Sequence, residues 1–189
     1  MIRIVGGKHR GRSIATPEGS TTRPTANRAR EALFNILMHA NWTPDGTSPL
    51  IEAHVLDGFA GSGALGLEAL SRGAAHVTFM DNEAAAVRLI GENVRKSGEA
   101  ANARVVRADV ANPPPGRQPC SLIFLDPPYR SGLATPALAA LRREGWAAPA
   151  TIATVELAGP EDFAAPAGFE TIDERRYGAA RIVIVRCVA

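Results

Sequence analysis

The sequence predicts an α/β protein whose doubly wound, mostly parallel sheet has seven strands and finishes in an antiparallel hairpin. Three observations carry this reading. From His54 onward, short apolar segments alternate with segments of helical period, the pattern of successive βα units. The turn between the first of these strands and the first helix is glycine-rich, reading GFAGSGALG. Near the end, FETIDERRY and ARIVIVRC are separated only by Gly178 and Ala179, too little chain for a crossover, so the two strands must be antiparallel neighbours.

The elements follow in order. IRIV and RSIA alternate apolar and polar residues around GGKHRG and read as a basic-tipped hairpin. TRPTANRAREALFNILMHA opens with a Thr/Pro start signal and continues with Ala29, Leu33, Ile36 and Leu37 at helical spacing. TPDGTSP is a loop. HVLDGF and HVTFMD are strands, and the helix between them, ALGLEALSRG, is closed by Gly73. EAAAVRLIGENVRKSG is a helix closed by Gly98, and ARVVRAD is the next strand. NPPPGRQP, residues 112–119, cannot be an ordinary helix, because adjacent prolines remove donors and fix φ. SLIFLD has the continuous apolar run of a strand buried on both faces; TPALAALRRE is a helix and TIATVEL a strand. The expected organisation is one domain over residues 1–189, with a basic hairpin and helix over 1–45 and the core over 50–189.

Bulk properties narrow the function. The 189 residues suffice for one sizeable core, and no apolar run approaches the roughly 20 residues of a membrane span. MIRIVGGKHRGR is basic but lacks the apolar stretch of a secretory signal, so a cytoplasmic protein without membrane contact is expected. Cys120 and Cys187 show no framework spacing, which suits a reducing compartment. His9, His39, His54 and His76 are scattered, so no metal is expected. The overall charge of +2 conceals an asymmetry. In the first thirty residues Arg3, Lys8, Arg10, Arg12, Arg23, Arg28 and Arg30 face only Glu18, leaving the remainder net acidic. A basic arm on an acidic body suits a phosphate-binding surface, and equally a solvated basic edge.

The chemistry collects at three strand ends. Gly61 and Gly63 permit a sharp turn, and the helix beyond them offers unpaired N–H donors. Asp81 ends the next strand, twenty residues after Gly61, where a carboxylate can hold both ribose hydroxyls of an adenosine. GSGALG also satisfies the dinucleotide pattern. Asp57, just before the loop, would repel a pyrophosphate and favour a positively charged ligand such as the methionine end of S-adenosylmethionine. Asp109, closing the third strand, is placed to accept from an adenine amine or simply to cap the strand.

LIFLDPPYR then sets Asp126, Pro127, Pro128 and Tyr129 at the carboxyl edge of the sheet. A base amine is a poor nucleophile, because its lone pair is delocalised into the ring. The Asp126 carboxylate and the Pro127 carbonyl can accept its two hydrogens and aim the lone pair, which is catalysis by orientation and electrostatics. Tyr129 can stack on an unpaired base. A hydride-transfer enzyme has no evident use for this sequence.

Four stretches, RIVGGKHRGR, TRPTANRAREALFN, LDGFAGSGALGLEALSRGA and FLDPPYR, resemble the class I S-adenosylmethionine-dependent methyltransferases with an amino-directed DPPY motif. More narrowly, the chain resembles the bacterial family that methylates the N(2) amine of a guanine in 16S ribosomal RNA. The likeness runs through nearly the whole chain; the glycine and DPPY motifs belong to the broad class, and the N-terminal stretches point to the narrower family. The resemblance implies a Rossmann-like fold with S-adenosylmethionine held by Asp57, Gly58, Ala60, Gly61 and Gly63, leaving S-adenosylhomocysteine as product. It further implies Asp81 on the ribose, Asn82 beside the adenine, and Asp109 with Val110 closing that pocket. The RPTANRAR helix start would lie over the methionine end and the target base. Lys8, Arg10, Arg12, Arg23 and Arg28 would grip 16S rRNA within a small-subunit assembly particle, the protein acting as a monomer. One departure is NPPPGRQP, which stands where the family usually has a helical stretch.

Three rival readings remain at this stage. DPPY alone does not name the base, so an amino-methyltransferase acting on adenine or cytosine in DNA or another RNA is one, although the chain has little room for the separate target-recognition domain that the DNA enzymes commonly carry. An NAD oxidoreductase rests only on GSGALG with Asp81. An RNA-binding assembly factor that retains the fold without turnover is the third.

Overall fold

The structure, a computed structural model, describes residues 2–17, 24–43 and 45–189, with the backbone alone over 24–27. Arg23 lies outside the described residues. Strands β1 (Ile2–Arg3) and β2 (Ser13–Ile14) pair antiparallel around a single 3-10 turn at Gly7–His9, as the alternation predicts. Helix α1 (Pro24–His39) starts at a proline, whose missing N–H costs nothing in the first turn.

The core then alternates: β3 (His54–Gly58), α2 (Ala64–Ser71), β4 (His76–Asp81), α3 (Ala84–Ser97), β5 (Ala103–Arg107), β6 (Leu122–Leu125), α4 (Ala134–Arg143) and β7 (Ile152–Ala158). Strands β8 (Phe169–Tyr177) and β9 (Ala180–Cys187) complete it as the expected hairpin. The spatial order is β5-β4-β3-β6-β7-β9-β8, with β3 to β7 parallel and β9 antiparallel between β7 and β8. The seven-stranded, doubly wound reading is therefore correct. Two ends differ by small amounts. β5 stops at Arg107, so Asp109 lies two residues beyond it, and β3 stops at Gly58.

The direction in which successive strands are added reverses between the parallel neighbours β3 and β6. The chain runs outward from β3 through β4 to β5, then returns and continues from β6 toward β8. Neighbouring strands whose helices lie on opposite faces leave a crevice at their carboxyl ends, which is where α/β sheets bind ligands.

Two cores flank the sheet. Phe34 and Leu37 of α1, Leu67 and Leu70 of α2, and Ile90 and Val94 of α3 cover one face with Phe79 and Phe124. Phe34 and Phe124 meet with ring centroids 5.4 Å apart at 54°. Each such fully buried ring stabilises the fold by roughly 1.5–3 kcal/mol. On the other face α4, through Leu138 and Leu141, packs with Ile123, Leu125, Val155 and Val183. Helix α3 shows why sequence period suffices here: its buried residues, Ile90, Asn93, Val94 and Ser97, form one stripe, and Gly98 ends it in the left-handed conformation.

Gly66 marks the tightest helix–sheet contact. A Cβ there would overlap the Phe79 ring and come within 2.7 Å of Val77 Cγ1. Gly66→Ala is expected to cost about 1–3 kcal/mol, read as a lowered urea midpoint with unchanged slope.

The N-terminal hairpin is stitched to the core by buried polar side chains. Glu68, 0% exposed, accepts from Val5 N at 2.8 Å, Gly6 N at 2.9 Å and Arg72 Nε at 2.7 Å. Ser71 Oγ accepts from His9 N at 2.9 Å and donates to Gly6 O. Asn93 accepts from Ala15 N at 3.0 Å and donates to Ala15 O and Ser62 O, both at 2.9 Å. Glu99 pairs with Lys8 at 2.7 Å and with His9.

The residues 112–119 loop is non-helical, as its prolines require. It is braced against the chain following α4. Trp146 Nε1 donates to Pro114 O at 2.7 Å, and Gly116 N donates to Glu144 O at 2.7 Å. A Cβ at Gly116 would lie 2.8 Å from Gly145 O, so the close approach requires glycine.

Candidate active site

The glycine loop leaves β3 through backbone that few residues adopt. Gly61 (φ +56°) and Gly63 (φ +77°) are left-handed, and so is the non-glycine Phe59 (φ +59°). Such a phenylalanine is a conformational cost that surrounding contacts must hold in place. Ala60 N donates to Met80 O at 3.2 Å, and Gly63 N to Ala60 O at 2.7 Å. At Gly58 a Cβ would meet Leu125 Cδ2 at 2.8 Å and Val110 Cγ1 at 3.1 Å. Val110 is thus a buried wall beneath the loop.

Asp81 fixes the loop from the neighbouring strand. Its Oδ2 accepts from Gly61 N and its Oδ1 from Glu83 N, each at 2.9 Å. Each carboxylate oxygen keeps a second lone pair for a hydroxyl. At the end of β6, Asp126 N donates to Gly58 O at 3.4 Å, which joins the DPPY segment to the loop's first residue.

A cleft of about 580 Å³ opens between these strand ends, lined by Phe59, Asp81, Asn82, Glu83, Asp126, Pro127, Pro128 and Tyr129. Asp126 opens onto it, yet protein surrounds its carboxyl on the other sides. That burial, then the Glu156 carboxylate, then Asp57, hold it well above the usual carboxylate range. Glu156, on β7, is itself raised by burial, an effect opposed by the Tyr129 hydroxyl, which donates to Glu156 Oε1 at 2.9 Å. The Tyr129 ring is 52% exposed at the cleft mouth.

Asp57 sits elsewhere. It is 1% exposed, below the loop, and its Oδ2 accepts from Gly66 N at 2.8 Å in the first turn of α2. Burial pushes it up to about 7, so it carries less charge at neutral pH than its position in the sequence suggests. Asp109 is exposed and caps its own turn, accepting from Ala111 N at 2.9 Å. Neither residue lines the cleft.

The basic residues divide between two places. Lys8 is paired with Glu99, and Arg12 donates to Lys96 O at 2.9 Å. The hairpin turn that carries Lys8 and Arg10 therefore rests on the far ends of α2 and α3, at the edge of the sheet opposite the cleft. Arg28 is exposed on α1. Among the described residues no group of His, Cys, Asp or Glu could hold a metal ion, and no helix is long and apolar enough to cross a membrane.

A family model described as conserved hypothetical protein 95 matches residues 2–186. The Escherichia coli protein named ribosomal RNA small subunit methyltransferase D is 39% identical over 157 residues, covering 82% of this chain and 74% of that protein. The chain belongs to the ribosomal RNA small subunit methyltransferase D family. The Haemophilus influenzae protein of that name is 32% identical over 182 residues, covering 94% of this chain and 89% of its own. The solved structure of the Escherichia coli protein yhhF superposes with a TM-score of 0.80 at 35% identity, covering 100% of this chain and 98% of that one.

Within this family member, six residues singled out from the sequence meet in one cleft: Asp81, Asn82, Asp126, Pro127, Pro128 and Tyr129. Sequence reasoning missed Phe59 and Glu83. Glu83 adjoins Asn82 at the start of α3, a position from which its cleft exposure could have been read. Nothing in the sequence signals the left-handed backbone of Phe59. Glu156 was missed as well; it lies on a strand whose alternation shows its face but not which carboxyl it meets.

Proposed function

We propose that this methyltransferase transfers the methyl group of S-adenosylmethionine to the N(2) amine of a guanine in 16S rRNA. One observation carries the reading: the Asp126 carboxylate and the Pro127 segment border the same cleft as Asp81 and the glycine loop. A nucleoside-holding carboxylate and an amine-accepting pair thus share one cavity.

The cleft suits S-adenosylmethionine better than a dinucleotide. Asp81, Glu83 and Asp126 give it an acidic lining, which favours a cationic ligand and opposes a pyrophosphate. Asp81 would hold the ribose, Asn82 would lie beside the adenine, and Gly58, Ala60, Gly61 and Gly63 would let the backbone approach, with Val110 behind them. Asp57 supports the loop from below, and Asp109, engaged in its own turn, is left without a cofactor contact. When bound, the cofactor supplies a methyl group already activated for displacement.

The protein's own residues do the rest. The Asp126 carboxylate and the Pro127 carbonyl accept the two amine hydrogens and turn the nitrogen lone pair toward the methyl position. Pro128 stiffens the segment, and Tyr129, fixed through Glu156, offers its ring to the base. The amine proton released on transfer would pass to the Asp126 carboxylate, the one of the two acceptors able to take it up. Lys8, Arg10, Arg12, Arg23 and Arg28 would neutralise RNA phosphates on a core over 50–189. Within residues 1–45 the hairpin, resting at the edge opposite the cleft, would serve RNA alone, and any cofactor lid would come from the segment at the start of α1. The setting would be a small-subunit assembly particle in the cytoplasm, with the enzyme as a monomer.

The deciding experiment is transfer of labelled methyl from S-adenosylmethionine to unmodified 16S rRNA, naked and in small-subunit particles, followed by nucleoside analysis. N(2)-methylguanosine is expected. Label in DNA, or in another base, would overturn the substrate assignment while leaving the chemistry.

The environment of Asp126 gives this activity a pH signature. Only the ionised carboxylate accepts freely, so kcat/KM should rise with pH along a limb displaced above the ordinary carboxylate range. Glu156→Gln removes a neighbouring like charge, which eases ionisation of Asp126 and should move that limb to lower pH. A limb that stays in place in the variant would show that Glu156 does not govern Asp126.

A further inference from the structure

A second cavity, of about 310 Å³, lies at the amino-terminal edge of the sheet, away from the cleft. His54 and His76 begin β3 and β4 in register, and Arg104 lies opposite Thr78 on β5. Alternation puts all four on the α4 face of the sheet. The residues 112–119 loop crosses this face without a helix and brings Arg117 and Gln118 to the cavity wall.

The lining is positive and unopposed. It contains Arg104, Arg117, His54 and His76 but no carboxylate. Neither the Arg104 nor the Arg117 guanidinium has a hydrogen bond or an ion pair among the described residues. The two histidine rings stand 6.1 Å apart, and Gln118 Nε2 lies 2.7 Å from His54 Nδ1. Burial first, then His54 and Arg104, depress the proton affinity of His76, so the fixed charge of the pocket comes from the two guanidiniums and the imidazoles add N–H donors. Cys120 at the cavity wall is pushed by burial up to about 12, so its thiol is neutral and offers no counter-charge. Two guanidiniums, two imidazoles, an amide and the Thr78 hydroxyl converging on one concavity match the several acceptor oxygens of a phosphate group.

We propose that this pocket is a phosphate-binding site. The favoured source is the backbone of the RNA substrate, an attribution that rests on the function proposed above. The hairpin turn with Lys8 and Arg10 lies at the same edge of the sheet on the opposite face, so one RNA could contact both while reaching round to the cleft.

The test titrates inorganic phosphate into the full chain at constant ionic strength while following the His54 and His76 ring resonances by NMR. Saturable shifts are expected in the wild type and should be lost in Arg117→Gln, whose site is an exposed loop, and in Arg104→Gln/Arg117→Gln. Methyl transfer to rRNA by the same variants identifies the source. An RNA KM raised about 3–10-fold at unchanged kcat, with a salt slope shallower by about 1, assigns the phosphate to the RNA backbone. Saturable phosphate shifts with an unchanged KM assign the site to a free phosphate compound. Absence of saturable shifts in the wild type overturns the site. If the wild type methylates no rRNA, the function proposed above fails, and the phosphate titration still decides the pocket.

Discussion

Asp126→Ala should leave S-adenosylmethionine binding within a few-fold of wild type while lowering kcat by about 10²–10³-fold, the usual cost of removing one preorganised group that meets the reacting centre. The separation follows from geometry. Asp126 directly follows β6, whereas the groups assigned to the cofactor lie on the glycine loop and at the end of β4. Calorimetric titration of the cofactor, beside single-turnover methyl transfer, reads the two effects independently. Thermal stability supplies a control, because the variant removes a carboxyl that burial and two like-charged neighbours already disfavour. It should melt no lower than wild type near neutral pH. Unchanged turnover would end the assignment of Asp126; a lost fold would contradict its electrostatic description.

Glu68→Ala is expected to cause the largest loss of stability. Its carboxylate, wholly removed from solvent, satisfies two backbone amides of the hairpin and the Arg72 guanidinium. Breaking a buried pair by deleting one partner costs about 3–5 kcal/mol, since the other charge stays buried. Arg72 also lies over the Phe34 ring, 5.4 Å from its centroid, and cannot turn away without uncovering the core. For a chain of this size the melting temperature should fall by roughly 10 °C. Glu68→Gln keeps an acceptor for the hairpin and should lie between the two. A melt within a degree or two of wild type would show that the hairpin is held by its other contacts.

These two carboxylates mark what a sequence displays and what it hides. Asp126 was legible because its meaning is local: an apolar strand runs into DPPY, and any strand of a parallel sheet ends at the ligand-binding edge. Asp81 was legible for the same reason, its partner Gly61 standing in the adjoining βα unit. Glu68 was not. It sits in ALGLEALSRG like a solvent-facing helical glutamate, and its amide partners are more than sixty residues earlier in the chain. Asn93 and Glu99 escape notice for the same reason. Asp57 shows the intermediate case. Its place before the loop suggested a charge offered to a ligand, whereas the carboxylate is spent on the first turn of α2 and protonates more readily because it is buried. The basic character of the hairpin was plain from composition, but its docking on the far ends of α2 and α3 depends on long-range pairings that carry no local pattern.

Those pairings also set a timetable. During synthesis the segment from Ile2 to Ala15 leaves the ribosome before any of the side chains that fasten it. Glu68 and Ser71 follow, then Asn93, and Glu99 comes last. At ordinary elongation rates the interval between Ala15 and Glu99 lasts roughly 4–17 s. Through that time a cationic tail hangs unsecured beside a particle made largely of RNA, open to proteases and to premature electrostatic capture. Slower translation through α2 and α3 lengthens that exposure, because no fastening contact can form until its side chain has been made.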